Sequence, residues 1–403
     1  MSVKLTGSSN YDFEPMHQRM QWYIDQELLS CCYSLVLHGS DVVDYKCFGY
    51  MDIESKTPLR EDAIYRMYSN TKLCTSIALM ILYERNKFDL DDPLEKYLPE
   101  FGDMQVLKPD ATKLTDTVAC ETSMTPRQLL SHSAGLSYGF VEPDSVIDQG
   151  YLSGGLNIMA GFDETLAEVS ARLGNFPLAY QPGTQWRYSL ATDVCARLVE
   201  VLSGVPFDQF LEAEIFAPLR MVDTSFHVPP EKQDRFTTMY SGVDPLDPMK
   251  PGLVKVDDPH TGTYSAPKQF LSGGGGLVST VADYVAFIQM IINGGEWGGT
   301  RIIDSDTLNM MRTNQLAEGL GVNFPMWAMP NTLFGLGFAL REQPAPEDKG
   351  DSRDEYFWGG MAGTHSWMAP RAGIAGLCLT QLMPGFWHPF SHEFRQFAYA
   401  SAP

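Results

Sequence analysis

Apolar and polar positions alternate along this chain in blocks that predict distinct elements. Tyr11 to Leu29 has helical spacing. Cys31–His38 and Val42–Tyr50 read as strands joined by the turn His38-Gly39-Ser40-Asp41. From Met67 to Arg85 apolar residues recur at the spacing of an amphipathic helix. The acid-proline cluster Phe88–Leu94 then ends one helix and starts a short one. Up to Val205 helices and long loops dominate. Thr125-Pro126 is a helix start with threonine as cap and proline in the first turn, and Cys195–Leu202 and Pro206–Phe216 read as two more helices. Beyond Ala217 the glycine run Gly273–Gly276 enters a helix capped at Ser279 or Thr280. Phe334–Leu340, Tyr356–Met361, His365–Ala369 and Ile374–Gln381 then read as strands, and His392–Ala400 as a closing helix. Gln343–Asp354, rich in Pro, Glu and Asp, is the stretch expected to be least ordered.

This order predicts an α+β (α/β) fold: one antiparallel sheet completed by both ends of the chain and flanked by helices, with a mostly helical insertion. The expected division is 1–66 with 206–403 for the sheet domain and 67–205 for the helical one, with the active site between them. A chain of 403 residues is long enough for two such lobes.

Composition narrows the partners. A formal charge of −21 argues against nucleic acid and anionic membrane, both of which need a basic footprint. Seven scattered cysteines without a Cys-x-x-Cys pair argue against a zinc site and a full disulfide framework. With no apolar leader in the first twenty residues and no run long enough to span a membrane, a cytoplasmic protein is expected.

The chemistry starts at Ser69 and Lys72. Three residues apart on a helix, they lie on one face, and an amine that has lost its proton can activate a hydroxyl. Such a pair needs a proton donor for the leaving group and donors for an oxyanion. Tyr188, after the Pro182-Gly183 turn, could reach both residues; alone, the position does not separate a reactive tyrosine from a packing one. Trp358-Gly359-Gly360-Met361 lies on a late strand where two glycines allow close approach of a substrate. There the backbone N–H of Met361, with that of Ser69, could form the oxyanion hole.

Together Tyr68-Ser69-Asn70-Thr71-Lys72, Pro126 through Leu136, Gln181-Pro182-Gly183 leading to Tyr188-Ser189, and Trp358-Gly359-Gly360 resemble the serine β-lactamase-related family. That family includes class C β-lactamases, D-alanyl-D-alanine peptidases, family VIII carboxylesterases and fungal statin-side-chain acyltransferases. Two motifs depart from the lactamases. Leu190 stands where they carry the asparagine of Tyr-x-Asn, and Trp358-Gly359-Gly360 stands in place of Lys-Thr-Gly. Both departures, continued by Gly363-Thr364-His365-Ser366-Trp367, resemble family VIII carboxylesterases. The resemblance implies a cofactor-free, metal-free serine hydrolase that cleaves small esters of short-to-medium acyl chains through a Ser69 acyl-enzyme. Lys72 and Tyr188 would act as general base and acid, with Met361, Gly360, Trp358, Tyr138 and His365 around the substrate. Alternatives on the same fold are an acyltransferase, a weak β-lactamase, or a non-catalytic binding module.

Three features compete. Gly135-Leu136-Ser137-Tyr138-Gly139 matches a nucleophile elbow, yet its flanks predict helix and loop where an elbow needs strand and helix. Gly273–Gly276 lacks the Lys-Ser/Thr of a phosphate loop and reads as a tight bend. Phe324-Pro325-Met326-Trp327 is an apolar loop that either covers an acyl pocket or packs.

Overall fold

Both ends of the chain meet on the strand Cys31–His38. In the computed structural model, which describes residues 11–401 apart from 325–327, 346, 347 and 349, this strand pairs antiparallel with Ile374–Leu379 on one side (Tyr33 opposite Leu379) and with Asp41–Asp52 on the other. The full sheet has eight antiparallel strands. From one edge they are Thr332–Phe334, Ala339–Arg341, Tyr356–Gly360, Thr364–Ala369, Ile374–Leu379, Cys31–His38, Asp41–Asp52 and Thr57–Pro58.

Side chains alternate between faces with the period of two that a strand imposes. Cys31, Tyr33, Leu35 and Leu37 point with Leu377 and Leu379 toward the helix Thr71–Glu84 and the block that follows it. Cys32, Val36 and Cys378 point the other way, onto the terminal helices Glu14–Asp25 and Pro389–Ser401, which contribute Met16, Met20, Phe390 and Phe394. With both faces covered, Cys31 to Leu37 is buried throughout. No helix of the described residues is long and apolar enough to cross a membrane.

The predicted elements are present with corrected bounds. The first helix covers Glu14–Asp25 and not Tyr11 to Leu29, because Glu27 turns left-handed (φ 54°) and drops Leu28 and Leu29 into the core. Phe334–Leu340 is not one strand. The chain reverses between Thr332–Phe334 and Ala339–Arg341 through Gly337 (φ 94°), whose missing side chain makes room for Ser76. Pro206–Phe216 is helix from Phe207 to Leu211, continued by a wider π-type turn. Val278–Thr280 is a short strand against Ile64–Arg66, and only then does the helix Val281–Ile292 begin, with the Thr280 hydroxyl accepting from the Asp283 N–H.

Within Gln343–Asp354, where residues 346, 347 and 349 lie outside the described residues, the Asp348 carboxylate is buried. Arg395 of the last helix donates to Asp348 at 2.6 Å and to Glu355 at 2.8 Å, and Tyr399 adds a hydroxyl to Glu355 at 2.7 Å. Removing one partner of a buried pair leaves an uncompensated charge, typically at a cost of about 3–5 kcal/mol. Arg395→Met, which keeps the length of the side chain, should lower unfolding free energy by roughly that amount in urea titration. A loss below about 1 kcal/mol would mean that Arg341, 3.5 Å from Glu355 and 3.9 Å from Asp348, alone balances both carboxylates.

Candidate active site

Ser69 sits in the tight turn Tyr68–Asn70 that feeds directly into the helix Thr71–Glu84. The turn is strained. Tyr68 adopts φ 44°, a conformation that costs a bulky residue about 1–3 kcal/mol. Contacts to the sheet hold it there. Asn70 Nδ2 donates to the Thr364 carbonyl (2.8 Å), the Thr364 hydroxyl to the Met67 carbonyl (3.0 Å), and the Ser366 hydroxyl to Asn70 Oδ1 (2.9 Å). Gly360 lets the turn approach, since a Cβ there would stand 2.3 Å from the Met67 carbonyl oxygen.

One helical turn on, Lys72 is buried. Its Nζ donates to the Gly274 carbonyl (2.6 Å) and the Tyr138 hydroxyl (2.8 Å) and lies 3.2 Å from Ser69 Oγ. Burial lowers its pKa from the usual lysine range to about 7, partly opposed by the charge of Asp193. The neutral amine has two hydrogens and one lone pair. Gly274 and Tyr138 take the hydrogens, and the lone pair is left for the Ser69 hydroxyl.

Tyr188 is brought in from the other side. The Leu190 N–H donates to the Ser137 carbonyl and that of Arg187 to the His132 carbonyl, pinning the segment against 132–137. The Tyr188 hydroxyl reaches Ser69 Oγ at 2.6 Å, and Trp358 Nε1 donates to that same hydroxyl at 3.4 Å. Burial pushes the Tyr188 pKa far up, so near neutral pH it is a phenol.

Of the expected residues, Ser69, Lys72, Tyr188, Tyr138, Trp358, Gly360 and Met361 are therefore brought together. Met361 lines both clefts that open on Ser69. His365 is not among them. Neighbouring strand residues face opposite ways, so Thr364 and Ser366 point toward Asn70 while His365 points to the far face. There it packs on Phe386 and Phe390 in a cavity that neither Ser69 nor Tyr188 lines, and burial lowers its pKa to about 4. Ser137, the elbow candidate, is fully buried and bound by Asp148 and by Arg187 Nε (2.7 Å). Phe324 joins the aromatic wall, packing at a tilt against Tyr188 and Trp358; residues 325–327 of that loop lie outside the described residues.

Three participants were not singled out from the sequence. Gly274 belongs to the run read as a bend, and it is one, but its carbonyl is a ligand of the lysine. Asp193 lies on the buried face of the helix Ala191–Ser203. Its Oδ1 accepts from the Ser272 hydroxyl (2.6 Å) and the Gly274 N–H (3.0 Å). An acid among Ala191, Val194 and Cys195 was the available signal. The third, Lys268, lines the second cleft.

The two clefts differ in character. The first, about 600 Å³ to its mouth, is walled by Phe140, Val141, Phe324, Trp358, Phe386 and Trp387. The second, about 1030 Å³, is more polar and runs beneath Gly274–Gly276. Among the described residues no group of three His, Cys, Asp or Glu side chains is arranged to hold a metal.

A sheet completed by both chain ends, with helices on both faces and the Ser-x-x-Lys turn beside it, is a β-lactamase/transpeptidase-like fold. A β-lactamase family model matches residues 28–399, and the chain belongs to that family. Protein Rv1367c of Mycobacterium tuberculosis is 32% identical over 349 residues, covering 85% of this chain and 81% of that protein. Esterase EstB of Burkholderia gladioli is 29% identical over 381 residues, covering 91% and 90%. Among solved structures, EstCE1, described as a hydrolase with promiscuous acyltransferase activity, superposes with a TM-score of 0.80 at 24% identity, covering 96% of this chain and 98% of that one.

If the Lys72 amine activates Ser69, labelling of Ser69 by a fluorophosphonate should accelerate as pH rises through about 7, as the amine loses its proton. Asp193 raises the Lys72 pKa, so Asp193→Asn should move that midpoint to lower pH. A rate profile flat from pH 5 to 9, or an upward shift in Asp193→Asn, would contradict this account.

Proposed function

We propose that the protein is a carboxylesterase that cleaves small esters of short-to-medium acyl chains through a Ser69 acyl-enzyme. The observation that carries this reading is the Tyr188 hydroxyl, 2.6 Å from Ser69 Oγ and also hydrogen-bonded by the Trp358 indole, with Lys72 on the other side of the serine. The full-length relation to EstB, an esterase, supports it.

In this reading neutral Lys72 takes the Ser69 proton as Oγ attacks the ester carbonyl. The N–H groups of Ser69 and Met361 receive the oxyanion; the first lies in the opening turn of a helix, where backbone N–H groups have no intrahelical acceptor. Tyr188, a phenol at neutral pH, gives its proton to the departing alkoxide and is reprotonated by the Lys72 ammonium. Water, or an alcohol, then attacks the acyl-enzyme by the reverse route. The two groups thus divide the work by pKa: the amine titrates near neutrality, the phenol far above it.

Trp358 adapts the third motif to esters. Where the lactamases carry a cation for the substrate carboxylate, this chain presents an aromatic face and one N–H donor. With Phe324 and Phe386 it forms an apolar wall suited to the alkyl part of an ester. The seven free cysteines fit a reducing, cytoplasmic setting.

Ser69→Ala should abolish turnover of p-nitrophenyl butyrate and fluorophosphonate labelling while leaving the melting temperature near that of the parent. Lys72→Ala and Tyr188→Phe should each lower kcat by about 10²–10⁴, and the double variant should be barely worse than either, because groups acting as a unit are non-additive. Losses that multiply would argue against a shared proton network. An added short alcohol should divert part of the product to a new ester if acyl transfer accompanies hydrolysis.

The reading of the third motif has its own check. The protein should turn over p-nitrophenyl butyrate far faster than penicillins or cephalosporins, and Trp358→Lys should lower kcat/KM for that ester by about tenfold or more. Cephalosporin turnover at a rate comparable with the best ester would overturn it.

A further inference from the structure

The apolar cleft accounts for one part of an ester and leaves the second cleft unexplained. There Lys268 stands half-buried on the loop between Asp257 and the glycine run. Its Nζ lies 4.6 Å from the centre of the Tyr264 ring. The Tyr264 hydroxyl donates to the Gly275 carbonyl (3.1 Å), one residue beyond the carbonyl that holds Lys72. The ammonium is therefore tied, through one aromatic ring, to the segment that positions the reactive lysine.

Its charge lacks an ion-pair partner. Among the described residues no carboxylate lies within ion-pairing distance of Lys268, in a chain with 50 acidic and 29 basic residues. The carboxylate that influences it, Asp257, is engaged by Arg66 at 2.6 Å. Burial lowers the Lys268 pKa, and Arg66 adds to this while Asp257 opposes it. A cation held partly out of water without a partner is a standing cost, which an incoming anion would relieve. The location matters as much as the charge. Trp358 lines the apolar cleft beside Ser69, and Lys268 lines the second cleft that opens on the same serine.

We infer that Lys268 is a specificity residue that binds a carboxylate carried by the ester substrate, at the end away from the part in the aromatic cleft. The inference rests on the hydrolase reading for its substrate but not for its binding site. The carboxylate could belong to the acyl half or to the alcohol half, and two probes separate these cases. Mono-(4-nitrophenyl) adipate carries it on the acyl half, with 4-nitrophenyl hexanoate as its neutral counterpart. 4-Butyryloxybenzoate carries it on the alcohol half, with phenyl butyrate as its counterpart.

One of the two charged esters should show a KM about tenfold below that of its neutral counterpart. Lys268→Gln should erase that preference, Lys268→Arg should keep it, and added salt should weaken it in the parent protein. Equal KM values within both pairs, or a preference unchanged in Lys268→Gln, would overturn the inference. Calorimetric binding of the same esters to the Ser69→Ala protein, with and without Lys268→Gln, reads the anion site without turnover. Charged and neutral esters binding alike there would reject the inference whatever the fate of the hydrolase reading. Absence of turnover by the parent, with Lys268-dependent binding of a charged ester intact, would reject only the hydrolase.

Discussion

The burial of a single amine organises this molecule. An ammonium taken out of water without a counter-charge in direct contact is unstable, and the protein answers by letting Lys72 deprotonate near neutrality. That solution requires two acceptors for the remaining hydrogens and a hydroxyl for the lone pair. Gly274, Tyr138 and Ser69 meet that requirement from three distant parts of the sequence. Asp193 completes the balance from behind Gly274: it is close enough to raise the lysine's affinity for a proton, yet it is hydrogen-bonded to Ser272 and the Gly274 N–H and not to the amine.

The sheet fixes the geometry around that amine. Because the strand Cys31–His38 pairs directly with Ile374–Leu379, the strands Tyr356–Gly360 and Thr364–Ala369 lie beside the start of the serine helix. The strained Tyr68 turn is held against them by Asn70 and Thr364, and Gly360 removes the side chain that would push it away. Backbone strain of about 1–3 kcal/mol is tolerable only where the surroundings over-determine the conformation. The terminal helices serve the same end from the far face, which they cover with an apolar layer and the Arg395 cluster.

How much of this could be read from residues alone depended on how local each signal is. Ser69 and Lys72 are one helical turn apart, so their meeting follows from periodicity. The strands Cys31–His38 and Ile374–Leu379 are visible as apolar runs between turn residues. Tyr188 and Trp358-Gly359-Gly360 required the family pattern, since neither position has a local reason to face a serine over a hundred residues away. His365 was assigned to the site by its neighbours in sequence, but a strand sends neighbours to opposite faces. The single strand expected over Phe334–Leu340 failed at Gly337, where a left-handed turn outweighs the apolar run around it. Gly274 and Lys268 act through tertiary contacts, and nothing in their immediate sequence sets them apart; for Asp193 the only local sign is an acid on the apolar face of its helix.

Leu190 puts the strongest constraint on how this site differs from its lactamase relatives. In their pattern that position carries an asparagine; here it is a fully buried leucine, which can offer the lysine no hydrogen bond. A buried amine with a missing partner would lose the free energy of an unmade hydrogen bond, about 1–3 kcal/mol. Tyr138, on the loop after Ser137, supplies an acceptor at 2.8 Å from Lys72 Nζ. It also packs against Tyr188, with ring centres 5.0 Å apart, and stacks on Phe140 of the aromatic cleft. One side chain thus holds the amine and backs the aromatic residues of the cleft. At Trp358 an aromatic residue stands where the lactamase pattern has a lysine. Tyr138 and Trp358 each donate to or accept from a member of the serine's hydrogen-bond network while presenting an aromatic face. Lys268, lining the second cleft, is left as the cation in position to bind a charged substrate.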